Sequence, residues 1–110
     1  METKDPAIAV ETPAHTAREF IKKRLEITPE EKRSLTDYDF GYRSSSVAIN
    51  SQLTDEISIN EIHTICTAER KKIIDDIDKR IKGTEVSRKD EMTLWERGYL
   101  HGANDVMYCF

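Results

Sequence analysis

The sequence predicts an all-α protein in which four helices form an antiparallel arrangement. Two observations support this: helix-start signals at four places, and apolar residues that recur after each one at gaps of three and four. The signals are Thr16-x-x-Glu19, Thr28-x-x-Glu31, Ser58-x-x-Glu61 and Ser87-x-x-Asp90. Each hydroxyl can accept from an exposed backbone N–H, and each acid can complement the positive helix end. We therefore expect helices at about 17–27, 29–53, 59–82 and 88–109.

A third observation is an internal resemblance between residues 38–49 and 95–106, at a constant offset of 57. The offset pairs aromatic with aromatic, acid with acid and Gly41-Tyr42 with Gly98-Tyr99. The simplest interpretation is a duplicated helical hairpin. Coincidence is the alternative, because amphipathic helices share a limited set of residue types.

The N-terminal part of the chain is predicted to be a flexible tail, residues 1–14, because it carries Pro6 and Pro13 and shows little periodicity. Its Ala-Ile-Ala-Val run is a candidate strand or anchor in a complex. The single helical domain then spans 15–110. The first helix should end before Pro29, since the residue before a proline disfavours helical angles.

The second helix, 29–53, carries an apolar seam with spacings of three and four residues. Gly41 and the serines at 44–46 are poor helix formers, so the alternative to one continuous helix is a break near them. The polar segment 50–55 follows as a connection. In the third helix, the turn at 69–72 lacks apolar residues and predicts a thinner core there. Gly83 is expected in the left-handed conformation that often ends a helix.

Bulk properties exclude several classes of protein. The chain has 110 residues, a net charge of −4 and 35% charged residues, and its apolar runs are too short to span a membrane. It lacks a signal-peptide pattern, so we expect a cytoplasmic protein, in the host cytoplasm if a phage encodes it. Cys66 and Cys109 show no metal-ligand spacing and are expected to act as small hydrophobic residues. No catalytic or phosphate-binding motif occurs. We expect no enzyme activity, no cofactor and no metal.

Two surfaces are candidates for contacts. Small residues at Gly98-x-x-x-Gly102 and Gly41-x-x-x-Ser45 allow close approach of helix backbones, inside the fold or with a second copy. Phe40 and Val47 lie away from the apolar seam of their helix, whereas the residues at offset 57 are polar. Exposed aromatic residues beside an arginine are common interface anchors. The predicted partner-binding residues are Phe40, Arg43, Ser44 and Val47. The alternative is that Phe40 packs against the tail or the first helix.

The sequence favours a small helical protein-interaction module that binds and modulates, and in one version inhibits, another protein. Short, highly charged helical chains of this kind are typical of accessory proteins of phages and other mobile elements. One alternative is a structural subunit that forms a homodimer or larger homo-oligomer through the glycine-bearing helices. A second is a nucleic-acid-binding protein. Basic clusters such as 70–72 favour it, but interleaved acids and the negative net charge argue against it.

Overall fold

The computed structural model describes residues 12–110, and all regular secondary structure in this range is helical, which confirms the all-α fold class. Six helices occur in this range instead of the four expected. They are α1 (Pro13–Leu25), α2 (Pro29–Arg33), α3 (Asp37–Asn50), α4 (Ile59–Ile81), α5 (Arg88–Glu91) and α6 (Leu94–Met107).

Helix α1 begins earlier than predicted because Thr12, and not Thr16, is its N-cap. The Thr12 side chain accepts a hydrogen bond from the backbone N–H of His15 at 3.1 Å, and Pro13 occupies the first helical position. Ala14 is fully buried, so residues 13 and 14 belong to the packed part of the chain and not to a tail over 1–14. Residues 1–11, with the Ala-Ile-Ala-Val run, lie outside the described residues.

Two of the predicted helices are each divided by a capping box. Thr36 and Asp39 exchange side-chain and backbone hydrogen bonds at the start of α3, and Thr93 and Glu96 do the same at the start of α6. The predicted helix 29–53 is therefore interrupted at 34–36, not near Gly41, and it ends at Asn50. The predicted helix 88–109 is likewise divided and ends at Met107. Each box supplies hydrogen-bond acceptors to the backbone N–H groups that are exposed where a new helix begins. A continuous helix would have needed no such acceptors at this point.

Helix α4 matches its predicted range to within one residue. It begins after the Ser58–Glu61 capping box and ends at Ile81, and Gly83 follows with φ of +80°, as expected for a left-handed cap. The segment 50–55, predicted to be a polar connection, contains buried Leu53, and Ile57 between this segment and α4 is also buried. This connection therefore contributes to the core.

The core is divided into two clusters along α4. The first joins buried residues of α1, α3, α4, α6 and the connection before α4, and includes Ile21, Ile49 and Cys66. The second consists of Ile73, Ile77, Tyr99 and Leu100. Buried Glu69 lies between Cys66 and Ile73 in sequence, within the turn where the absence of apolar residues predicted a thinner core.

The most extensive contact between any two described helices is made by α3 and α6, through their glycines. A Cβ added to Gly41 would lie 1.9 Å from the backbone oxygen of Trp95, and one added to Gly98 would lie 1.9 Å from that of Tyr38. These two contacts are related by the offset of 57, since 38 corresponds to 95 and 41 to 98. The sequence resemblance therefore corresponds to a pseudo-twofold relation between α3 and α6.

Polar contacts on the flank of this pair show that α3 and α6 run in the same direction. Tyr38 Oη lies 2.6 Å from His101 Nδ1, and Tyr42 Oη donates to Asp105 Oδ2 at 2.5 Å. Moving four residues along α3, from Tyr38 to Tyr42, thus corresponds to moving four residues along α6, from His101 to Asp105. The two central helices, which lie within the second and fourth predicted helices, are therefore parallel to each other, and the second and fourth helices of an antiparallel four-helix arrangement are also parallel.

Candidate functional site

The four residues predicted to bind a partner lie together on one side of α3. Phe40, Arg43, Ser44 and Val47 occupy positions i, i+3, i+4 and i+7, which share a face of a helix. Together with Ala48 they line a shallow groove of about 380 Å³. We refer to Phe40, Arg43, Ser44 and Val47 as the outer face of α3. It points away from the glycine side that packs on α6.

The apolar members of this face are largely uncovered. Phe40 is 50% exposed and Val47 is 55% exposed. The expected alternative was packing of Phe40 against the tail or the first helix. Its exposure argues against burial by the first helix, and packing against residues 1–11 lies outside the described residues. Arg43 does contact α1, because its Nη1 donates to the backbone oxygen of Leu25 at 2.9 Å. This bond ties one side of the groove to the C-terminal end of α1.

The corresponding face of α6 has a different chemical character. At offset 57, Phe40, Arg43, Ser44 and Val47 correspond to Arg97, Leu100, His101 and Asn104. These α6 residues line a pocket of about 520 Å³ with residues of α4 and α5. We call it the basic pocket; its lining residues are Arg70, Arg88, Lys89, Met92, Arg97, Leu100, His101 and Asn104. The pseudo-twofold thus relates the groove on the outer face of α3, which is mainly apolar, to the basic pocket beside α6.

Charge in the basic pocket is poorly compensated. Arg88 is paired with Asp78 through two bonds of 2.6 and 2.8 Å. Among the described residues, no ion pair involves Arg70, Lys89 or Arg97. Arg70 Nε is also buried without a hydrogen-bond partner in the described part of the chain.

Two ion pairs hold the short helix α5 against α4 and so fix the wall of the basic pocket. Arg88 of α5 binds Asp78 of α4, and Arg80 of α4 binds Glu91 of α5 through Nε at 3.0 Å. Arg80 also makes a bidentate pair with Glu96 of α6, with both distances 2.7 Å. Arg80 therefore joins three helices at one point.

Two buried carboxylates are held by several donors each. Tyr99 Oη donates to Glu69 at 2.5 Å, and Gln52 and Lys72 donate at 3.0 and 2.9 Å. Burial raises the pKa of Glu69, but these hydrogen bonds outweigh it and bring the pKa below its usual value. The guanidinium of Arg80 is the main cause of a lowered pKa at Glu96. Both acids are ionised at neutral pH, and both join helices to one another.

The two cysteines are free thiols that are covered by the fold to different extents. Cys66 is fully buried, and burial raises the pKa of its thiol to about 11. Cys109 is half-buried. Within residues 12–110, no group of three or more histidine, cysteine or acidic residues is arranged to hold a metal ion. Over the same range, every helix is too short or too polar to cross a membrane.

Comparison with known proteins gives no family assignment: no family model, curated protein or solved structure matches this chain. The candidate surfaces therefore depend on the geometry alone.

Sequence reasoning located the outer face of α3 but missed the basic pocket. The pocket is assembled from α4, α5 and α6, whose residues are distant in sequence. One available signal was the offset of 57, which assigns Arg97 and Asn104 to the positions of Phe40 and Val47.

Proposed function

We propose that this protein is a non-enzymatic interaction module that binds another protein through the outer face of α3 and modulates it. The observation that carries the proposal is the exposure of Phe40 and Val47, two turns apart on one capped helix. Exposed apolar residues grouped on a regular element often mark an interaction surface.

The pseudo-twofold argues against a folding role for these two side chains. Arg97 and Asn104 occupy the equivalent positions in α6, and both are less exposed than Phe40 and Val47. The apolar residues therefore lie in the more exposed copy and the polar residues in the more buried one. If burial determined the residue types, the apolar residues would lie in the more buried copy.

The geometry favours an amphipathic segment as the bound element. Positions i and i+7 on a helix are about 10 Å apart along its axis, which matches the spacing of two apolar anchors on a partner helix. Arg43, fixed by Leu25, borders the groove with its aliphatic stem. A partner side chain seated between Phe40 and Val47 would contact both.

The small-residue faces have a different role. Gly41, Gly98 and Gly102 are all buried in the α3–α6 contact of one chain, which leaves them unavailable to a second copy. Self-association through the glycine-bearing faces therefore has no support in the described residues, and a homodimer would use another surface of the chain. Sedimentation at several concentrations separates this case from binding of a different protein.

The test begins with a photo-reactive phenylalanine analogue at Ser44, between the two apolar anchors, to capture the partner in the native cell. The captured protein is then purified and its affinity is measured for wild-type, Phe40→Asp and Val47→Asp chains. We expect each variant to lose about 30-fold or more in affinity, as for a central interface anchor.

The matched control is Leu94→Asp. Leu94 is 56% exposed, as Val47 is, and the first repeat carries aspartate at the equivalent position, Asp37. This control should bind within about twofold of wild type, because a single exposed residue away from the interface contributes little. Wild-type affinity in Val47→Asp, with helical circular dichroism retained, would remove the outer face of α3 from the interface.

A further inference from the structure

We propose that the basic pocket binds a small organic molecule that carries two phosphate groups. This site is distinct from the outer face of α3, and the proposal does not depend on partner binding.

Charge is the first argument. The pocket is lined by four cationic residues and by no acidic residue, although the whole chain has a net charge of −4. Asp78 compensates Arg88, which leaves Arg70, Lys89 and Arg97 as three positive charges without an ion pair in residues 12–110. Three cations around one cavity repel one another, so an anion that binds all three relieves a cost that the free protein carries.

Unsatisfied polar atoms are the second argument. Arg70 Nε and Asn104 Oδ1 are buried and have no hydrogen-bond partner among the described residues. Buried polar groups are rarely left unpaired, since each one costs free energy. The amide of Asn104 can exchange its oxygen and nitrogen by rotation, so it can present an NH₂ donor instead. Both residues line the basic pocket, so one ligand there would contact both side chains.

The number of charges indicates two phosphates. One phosphate monoester carries about −1.5 to −2 at pH 7. A single phosphate or carboxylate would therefore leave part of the charge of Arg70, Lys89 and Arg97 uncompensated, whereas two phosphates match it. Guanidinium groups suit this role because they bind phosphate oxygens in pairs.

The rest of the lining indicates an organic molecule. Met92 and Leu100 give the pocket an apolar portion beside its cations. The volume of about 520 Å³ is in the range of small-molecule sites. The ion pairs of Arg88 and Glu91 hold α5 on α4, so the backbone of this wall of the pocket is positioned before any ligand arrives.

A nucleic-acid strand fits these observations less well. Sequence-independent binding of a strand needs a groove of positive charge that follows several successive phosphates. Here the unpaired cations surround one cavity, and α4 and α5, which carry two of these cations, also carry the acids Asp78 and Glu91.

The test measures binding of inorganic pyrophosphate to the full chain by calorimetry at constant ionic strength, with inorganic phosphate, citrate and a ten-nucleotide single strand as comparison probes. We expect pyrophosphate to bind about tenfold or more tightly than phosphate or citrate. Arg97→Gln and Lys89→Gln should each weaken pyrophosphate binding by about tenfold or more, because each removes a charge-assisted contact.

The matched control is Lys32→Gln, which makes the same change at the position that corresponds to Lys89 in the first repeat. It should leave pyrophosphate affinity unchanged. Lys89 is exposed, so its variant folds and its result is decisive even if Arg70 or Arg97 variants prove unstable. Equal affinity for pyrophosphate, phosphate and citrate, or equal losses in Lys89→Gln and Lys32→Gln, would overturn the proposal as general counterion binding. Binding of the oligonucleotide more than tenfold tighter than pyrophosphate would overturn it in favour of a nucleic-acid surface.

Discussion

Replacement of Gly98 by alanine tests the contact that organises this fold. The new Cβ would lie 1.9 Å from Tyr38 O, 2.8 Å from Tyr38 C and 3.0 Å from Tyr42 N. Ordinary contact begins at 3.4 Å, so α3 and α6 would have to separate by about 1.5 Å. All three atoms belong to the backbone, so no rotamer change can relieve the overlap.

The expected loss is about 2 kcal/mol of unfolding free energy. Overpacking a close contact costs about 1–3 kcal/mol, and a backbone obstruction belongs at the upper end of that range. Alanine regains about 1 kcal/mol of helix propensity over glycine. The net effect is measured by urea unfolding followed by circular dichroism.

The control is Ser44→Ala on the outer face of α3, where the side chain is exposed and the change should stay within about 0.5 kcal/mol. The double variant Gly41→Ala/Gly98→Ala should lose less than the sum of the single losses, because one separation of the helices relieves both overlaps. A Gly98→Ala protein as stable as wild type, or more stable, would refute backbone contact between α3 and α6.

Two further predictions concern the buried carboxylates. Tyr99→Phe removes a hydrogen-bond donor from buried Glu69 and should lower the free energy of urea unfolding by about 1.5–3 kcal/mol. Tyr42→Phe changes the half-buried residue at the equivalent position of the first repeat and should cost less. Equal losses in the two variants would contradict the importance of burial. Arg80 lowers the pKa of Glu96 in the folded protein. The Arg80–Glu96 ion pair therefore stabilises the fold at pH values above the unfolded-state pKa of about 4.5, and this stabilisation is lost as the pH falls below that pKa. The difference in urea midpoint between wild type and Glu96→Gln should therefore shrink from pH 7 to pH 3, and a constant difference would show that the ion pair does not contribute.

Local signals in the sequence predicted much of the fold. The range of α4, the left-handed Gly83 and three of the four predicted N-caps agree with the structure, because each depends on residues a few positions apart. The core residues of α1 and α4 also follow their helical spacing.

The division of the two long helices was missed although its signal was present. Thr36-x-x-Asp39 and Thr93-x-x-Glu96 are capping boxes at offset 57, but the apolar seam continues across them and suggested unbroken helices. Trp95 lies in the first turn of α6 and is 37% exposed, although its spacing places it on the apolar seam. The spacing of apolar residues along one helix does not show how far a neighbouring helix extends, so it does not predict which of these residues the neighbour covers.

Arg80 pairs with acids on other helices although an acid lies one turn away on its own helix. Asp76 is four residues before Arg80, yet Arg80 binds Glu96 of α6. A long side chain selects a partner on another helix when that partner is better placed. The basic pocket escaped prediction for the same reason, since its charges come from three helices.

The most direct test of partner binding through the outer face of α3 is an NMR footprint of the captured partner on the isotope-labelled chain. If the partner binds the outer face of α3, the largest chemical-shift changes will cluster at Phe40, Arg43, Ser44 and Val47, with little change at Arg97 and Asn104 in α6. A footprint centred on α6, or one spread over the glycine contact, would contradict it.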